Sequence, residues 1–328
     1  MNKISEVSFV DLYIGDDFTD FNGFAGTEGR TVAPASMEAD ITALREECQT
    51  VYEKLHEPEF PLLYDGIMYR VTMIPDAMGK FIYILRRSSA SIRALGTLGL
   101  AQPILQKLLD KNARGLILIA GEMASGKTST AATLVAEWLK RNGGYGITLE
   151  DPPETPLNNI WGAGRCFTAL VTENTGGYKA AMRRALRANT KIMLLGEIRD
   201  SETALEVLQA GNNGHLILST LHAGSPSQAI ERMASFCAAE PNVNMLLSEA
   251  LFMVIWQKLT VASGPPASDG TQSKFTRIKA SCLEVKDQVG VKTKIKDGLL
   301  SSLNDDIEQQ ANRIAWTMQE QRKRPGTP

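Results

Sequence analysis

The chain has 328 residues, 43 % apolar and 22 % charged, with a formal net charge of −2. This is the balance of a soluble globular protein long enough for two domains, and it argues against disorder and against an overall basic field for nucleic acid. Cys48, Cys166, Cys237 and Cys282 form no C-x-x-C pair, so neither a zinc knuckle nor a disulfide framework is expected, and a reducing cytoplasm fits.

The N-terminal stretch MNKISEVSFVDLYIGDD carries acids where a signal peptide needs an apolar core. No apolar run reaches the ~18 residues of a membrane span, so any membrane contact is expected to be peripheral. The runs SFVDLYIG, GIMYRVTMI and KFIYILRR read as strands and Met37 to Leu55 as a helix, which predicts a small α+β domain over residues 1–96.

Near SASIRALGTLGLAQP the pattern changes to strands alternating with helices, the mark of a parallel sheet with helices on its faces. GLILIA is a strand candidate that feeds the glycine loop GEMASGKTST. Behind the loop, Ala131, Leu134, Val135, Trp138 and Leu139 recur at helical spacing until Asn142-Gly143-Gly144. YGITLE, IMLLGE and HLILST read as further strands, separated by the helices GYKAAMRRALRAN and DSETALEVLQAGN, giving a nucleotide-binding α/β core over 97–262. The stretch VNMLLSEALFMVIWQKL reads as helical. Residues 263–328 read as a break at SGPPASDG, an extended run FTRIKASCLEV and a closing helix that pack on the core and end in the basic tail QRKRPG.

Gly121, Gly126, Lys127 and Thr128 have the spacing of a phosphate-binding loop, G-x-x-x-x-G-K-[ST]. Unpaired N–H groups of the first helical turn bind polyphosphate, helped by the helix dipole, so Gly121, Glu122, Met123, Ala124, Ser125, Gly126, Lys127, Thr128 and Ser129 are the expected nucleotide contacts. Lys127 would reach the β- and γ-phosphates and Thr128 would ligate Mg2+. Glu122 fits if its side chain turns to solvent, and Ala124 stands where glycine is easier.

Hydrolysis also needs a carboxylate to orient water, and Glu150 in ITLEDPPE and Glu197 in IMLLGEIRD end strands of the sheet. Either could instead cap the next helix or meet an arginine. His222 follows a strand end, where it could report a γ-phosphate, whereas His215 reads as structural.

GEMASGKTST, ITLEDPPE, IMLLGEIRD and GHLILSTLHAGSP, in this order, resemble the Walker A, Asp box, Walker B and His box of the secretion ATPase superfamily, most of all its PilT-like pilus ATPases. The resemblance implies a RecA-like P-loop core of parallel strands and helices behind a PAS-like α+β domain, with a helical C-terminal segment. It implies a homo-hexameric ring, cytoplasmic and peripheral to the inner membrane, that uses ATP and Mg2+ and docks on a membrane platform protein, with no nucleic acid. Carried over, Glu197 is the Walker B glutamate, with Thr128 a ligand of Mg2+ directly or through water; Glu150 and His222 are the Asp-box and His-box residues. Arg70 and Arg86 match arginines that reach a neighbour's ATP.

The loop lacks the family's usual Pro-Thr-Gly, and FIYILRRSSAS lacks the proline that follows that arginine. The four-cysteine insertion of assembly-type ATPases is also absent, which points to a retraction-type or conjugation-type motor. The alternatives are a nucleotide-gated scaffold that hydrolyses poorly, suggested by Glu122 and Ala124, a RecA-like helicase, and last a small-molecule P-loop kinase.

Overall fold

Alternating burial along short strands, closed by one long helix, builds the N-terminal unit. The computed structural model describes residues 3–88, 90–266 and 272–323, which divide into two units. The first takes the described residues up to Ala90 with Glu150–Pro156 and Ala169–Gly177.

In that unit β1 (Asp11–Ile14), β2 (Thr19–Asn22), β3 (Arg30–Val32), β4 (Glu59–Tyr64), β5 (Ile67–Pro75) and β6 (Phe81–Arg87) form one sheet, with α1 (Glu38–Leu55) between β3 and β4 in the chain. The strand order is β3-β2-β1-β6-β5-β4, paired antiparallel throughout. Tyr69, Val71 and Met73 alternate inward on β5 and join Ile41, Leu44 and Cys48 of α1 in one core. Phe21, Phe60, Tyr69 and Tyr83 are fully buried there, the two phenylalanines each worth about 1.5–3 kcal/mol against exposure.

The second unit holds α2 (Gln102–Leu108), β7 (Gly115–Gly121), α3 (Lys127–Asn142), β8 (Gly144–Glu150), β9 (Ile160–Trp161), β10 (Gly164–Leu170), α4 (Gly177–Arg187), β11 (Ile192–Glu197), α5 (Ser201–Asn212), β12 (Leu216–His222), α6 (Pro226–Phe236), α7 (Val243–Ala250), β13 (Leu251–Pro266), β14 (Gln272–Glu284), α8 (Val289–Lys296) and α9 (Leu303–Lys323). The terminal residues Glu150 of β8, Ala169 and Leu170 of β10, and Gly177 of α4 group with the first unit. The eight strands run β14-β13-β7-β12-β11-β8-β10-β9. β13, β7, β12, β11 and β8 are parallel neighbours, and β14 and β9 add antiparallel edges. This is an α/β fold with a mostly parallel sheet flanked by helices.

Every residue of β7 is buried, as a parallel strand covered on both faces must be. The sequence-predicted stripe of α3 lies in the core, and Ala132, Thr133 and Ala136 join it, so more than one face of the helix is covered. Asp200 caps α5 by accepting from Thr203 N at 2.8 Å, and Ser225 caps α6 ahead of Pro226.

Three expectations change. LFMVIWQKL is not helical: α7 stops at Ala250, and Leu251 onward is β13, paired parallel with β7. A strand buried on both faces has no alternation to separate it from a buried helix, and the aromatic and β-branched Phe252, Val254, Ile255 and Trp256 favour the strand. β9 and β10 also interrupt the expected strand–helix alternation after β8. β13 runs on through Pro266, into the expected break; the rest of that break, with residue 271, and the tail residues 324–328 lie outside the described residues. Among the described residues no helix is long and apolar enough to cross a membrane.

Candidate functional site

β7 delivers the chain into the loop at Gly121, where only a bare Cα fits. A Cβ there would stand 2.3 Å from the Gln257 carbonyl oxygen and 2.6 Å from Ser125 Oγ. At the far end Gly126 is left-handed (φ 84°) and sets the start of α3 at Lys127 with no side-chain cap. The first-turn N–H groups are thus free of capping by their own helix, and the positive end of the dipole faces the loop mouth. Ala124 also takes a left-handed conformation (φ 57°), which costs a non-glycine residue about 1 kcal/mol. Glu122 and Met123 turn their side chains to solvent, whereas Ser125, Lys127 and Ser129 are buried and Thr128 is half-buried.

Register brings the chemistry together around this loop. His222 pairs with Gly121 across β12 and β7, and Glu197 pairs with Thr220 across β11 and β12 after a register shift. Lys127 Nζ donates to the carbonyls of Gly121 (3.1 Å) and Glu122 (2.8 Å) and lies 3.4 Å from His222 Nδ1. His222 Nε2 is 3.2 Å from Glu197 Oε1, and Arg199 Nε donates to Glu197 Oε2 at 2.8 Å. An ammonium can only donate, so Nδ1 is the acceptor and Nε2 carries the proton that it gives to Glu197.

Burial, then the Lys127 charge, hold the His222 imidazole below its usual value against the pull of Glu197, with Arg232 and Arg199 adding to the depression. Burial likewise lowers Lys127, and Glu197 opposes it. The arrangement is a neutral histidine between a cation and a carboxylate at the C-terminal ends of adjacent parallel strands, where open α/β sheets bind ligands.

Glu150, Arg70 and Arg86 belong to the N-terminal unit. The Glu150 carboxylate is buried and accepts from Glu154 N (2.9 Å), Thr155 N (3.1 Å) and Thr155 Oγ1 (2.5 Å), so it shapes the loop that follows it. Arg70 pairs with Glu59 at 3.1 Å and Glu154 at 3.6 Å. Arg86 Nε pairs with Asp11 at 2.7 Å while two thirds of its side chain (66 %) stays exposed.

Sequence reasoning missed Gln257. It follows Trp256, which pairs with Ala120 of β7, so β13 flanks the loop opposite to His222. Its side chain is fully buried, and Nε2 donates to Ser125 O at 2.6 Å. The available signal was a lone amide inside an apolar run, hidden once that run was read as helix.

His215 precedes β12 at the end opposite to His222. Burial and the nearby Arg114 charge hold its imidazole below the ordinary value. A depressed pKa means that this contribution to stability is complete above the unfolded value of about 6.5 and is lost as pH falls through the folded value. The urea midpoint should therefore drop between pH 7.5 and 5, and His215→Gln should flatten that drop. An identical slope in the variant would remove His215 from the pH response.

The loop, the strand-end acid and the histidine thus stand together at one edge of a mostly parallel α/β sheet. A family model described as type II/IV secretion system protein matches residues 62–324, and the chain belongs to that family. It is 38 % identical over 168 residues to the uncharacterized protein YggR of Escherichia coli, covering 49 % of each chain. It is 30 % identical over 213 residues to the type IV pilus retraction ATPase PilT of Pseudomonas aeruginosa, covering 63 % of this chain and 60 % of that one. The chain thus spans about half to three fifths of the length of these relatives.

Among solved structures, the pilus retraction motor PilT with bound ADP superposes with a TM-score of 0.69 at 22 % identity over 94 % of this chain and 90 % of that one. The ATPase DotB of Legionella pneumophila gives 0.65 at 18 % identity over 92 % and 84 %. At these identities the likeness is one of fold.

Proposed function

We propose that the chain is a Mg2+-dependent ATPase and the subunit of a hexameric ring motor that drives a type IV pilus in the retraction sense, or a related type II or type IV secretion machine. The observation that carries this reading is the Lys127–His222–Glu197 constellation against the uncapped first turn of α3. The loop fits a polyphosphate: Gly121 has no room for a Cβ, and Ser125 Oγ and Thr130 Oγ1 are buried polar atoms without a hydrogen-bond partner among the described residues.

Lys127 Nζ would exchange the Gly121 and Glu122 carbonyls for β- and γ-phosphate oxygens while the α3 N–H groups hold the rest of the chain of phosphates. Glu197, oriented by the His222 Nε2–H and by Arg199, would orient the attacking water and take its proton. Thr128 and Glu197 would hold Mg2+, which when bound neutralises charge on the β- and γ-oxygens. Arg70 or the more exposed Arg86, supplied by a neighbouring subunit, would neutralise charge on the transferred group, and rigid-body motion of the units would do the work. The type IV pilus retraction ATPase PilT among its relatives, and its membership of the type II/IV secretion system protein family, support the pilus and secretion context. Glu122, one of the two grounds for the poorly hydrolysing scaffold, has an exposed side chain, which weakens that alternative.

The test is steady-state ATP hydrolysis with Mg2+ against protein concentration, with mass by light scattering on the same samples. Turnover per subunit should rise as a six-fold particle forms. Nucleotide binding without turnover at every concentration would instead select the scaffold, and turnover independent of assembly would remove the neighbour's arginine.

A further inference from the structure

We propose that Arg93 is a second cationic ligand of the nucleotide, supplied by the same chain and directed to the α- and β-phosphates; this rests on the nucleotide-binding reading above. Arg93 lies in the segment that precedes α2, and the backbone there is fastened to α3. Ser91 N donates to Ser129 Oγ at 3.1 Å and Arg93 N donates to Thr133 Oγ1 at 2.9 Å, two positions one turn apart on the helix. The segment therefore runs along the first turns of α3, and the side chain of Arg93 reaches back to the loop. Its Nη2 is 3.8 Å from the point where a Cβ on Gly126 would stand, and Gln257 Nε2 is 3.4 Å from the same point.

The guanidinium there holds no carboxylate among the described residues, unlike those of five other arginines. Arg30, Arg45, Arg70, Arg86 and Arg199 each hold a carboxylate. Arg93 Nε is buried with no hydrogen-bond partner among the described residues. A buried donor without an acceptor is costly, and a guanidinium is most strongly satisfied by a carboxylate or a phosphate. The neighbouring element is a helix start with uncapped N–H groups, whose natural ligand is phosphate.

Topology says which phosphates. Gln257 is on β13 and His222 on β12, and the two strands flank β7 on opposite sides. Arg93 approaches the loop beside Gln257, away from His222 and Glu197. The γ-phosphate must lie by Glu197 for water to attack it, so the guanidinium meets the α- and β-phosphates. Lys127 and Arg93 then hold the triphosphate from its two ends.

The experiment is calorimetric titration of the full chain with ADP, with pyrophosphate by competition against ADP, and with ATP in a Glu197→Gln background that suppresses turnover. Arg93→Ala should weaken ADP, pyrophosphate and ATP alike by about tenfold or more, and Arg93→Lys should recover part of the loss. Unchanged ADP affinity would overturn the proposal. ATP weakened with ADP unchanged would move the contact to the γ-phosphate, and ADP weakened with pyrophosphate unchanged would move it to the nucleoside; each also overturns it. Thermal unfolding of each variant separates loss of a ligand from loss of the fold, and Arg93→Met, which keeps the length of the stem, decides the matter if alanine unfolds the chain. If wild type binds neither ADP nor ATP, the nucleotide reading itself fails and the proposal falls with it.

Discussion

Glu197→Gln is expected to bind ATP as wild type does and to hydrolyse it about a thousandfold more slowly, the scale of a lost general base. Glu197 accepts from His222 Nε2 at one oxygen and from Arg199 at the other, so an amide of the same shape fills the same space, gives up one of these two contacts at a half-buried strand end, and cannot take a proton from water. Because the phosphate grip belongs to Lys127 and the first turn of α3, affinity should survive the change. Phosphate-release kinetics give the first quantity and calorimetry with ATP the second. Residual turnover within threefold of wild type would sink the assignment. Glu150→Gln provides the contrast: its carboxylate accepts from Glu154 N, Thr155 N and Thr155 Oγ1, and the amide should lower the melting temperature, because only one of its two polar ends can accept.

The phosphate loop and its surroundings were legible because their physics is local. GLILIA is continuously apolar since β7 is covered on both faces, Gly121 and Gly126 mark a sharp turn, and α3 begins where the loop ends. Glu197 and His222 could be found because strand ends in a parallel sheet converge on one edge, and both terminate strands that the sequence displays. Gln257 was hidden for the converse reason. β13 is covered like β7, its run has no alternation, and the preceding α7 gave no turn residue to separate helix from strand.

Arg93 carries no motif at all: its place beside Gly126 follows from two backbone donors that find Ser129 and Thr133, about forty residues away, a contact that spacing along the chain cannot express. Arg70 and Arg86 were marked by resemblance, but their carboxylate partners Glu59, Glu154 and Asp11 are known only from the folded unit.

Gly121→Ala should cost stability and nucleotide affinity together, although it adds a single methyl group. The new Cβ would stand 2.3 Å from the Gln257 carbonyl oxygen and 2.6 Å from Ser125 Oγ. The hydroxyl can rotate away, but the carbonyl cannot: it belongs to β13, which is paired with β7 on one side and β14 on the other. Relief must come from tilting the loop or parting the strands, an overpacking cost of about 1–3 kcal/mol. Tilting the loop also moves its N–H groups off the phosphates, and a displacement near 1 Å is worth roughly a hundredfold where geometry is demanding. Urea denaturation and calorimetry with ADP read the two effects. Gly96→Ala is the control, since a Cβ there meets nothing within 4 Å, and it should leave both quantities near wild type. If Gly121→Ala bound ADP with wild-type affinity, the close approach of β13 to the loop would not be what holds the N–H groups in place, and Gln257 would lose its role as the anchor of the site.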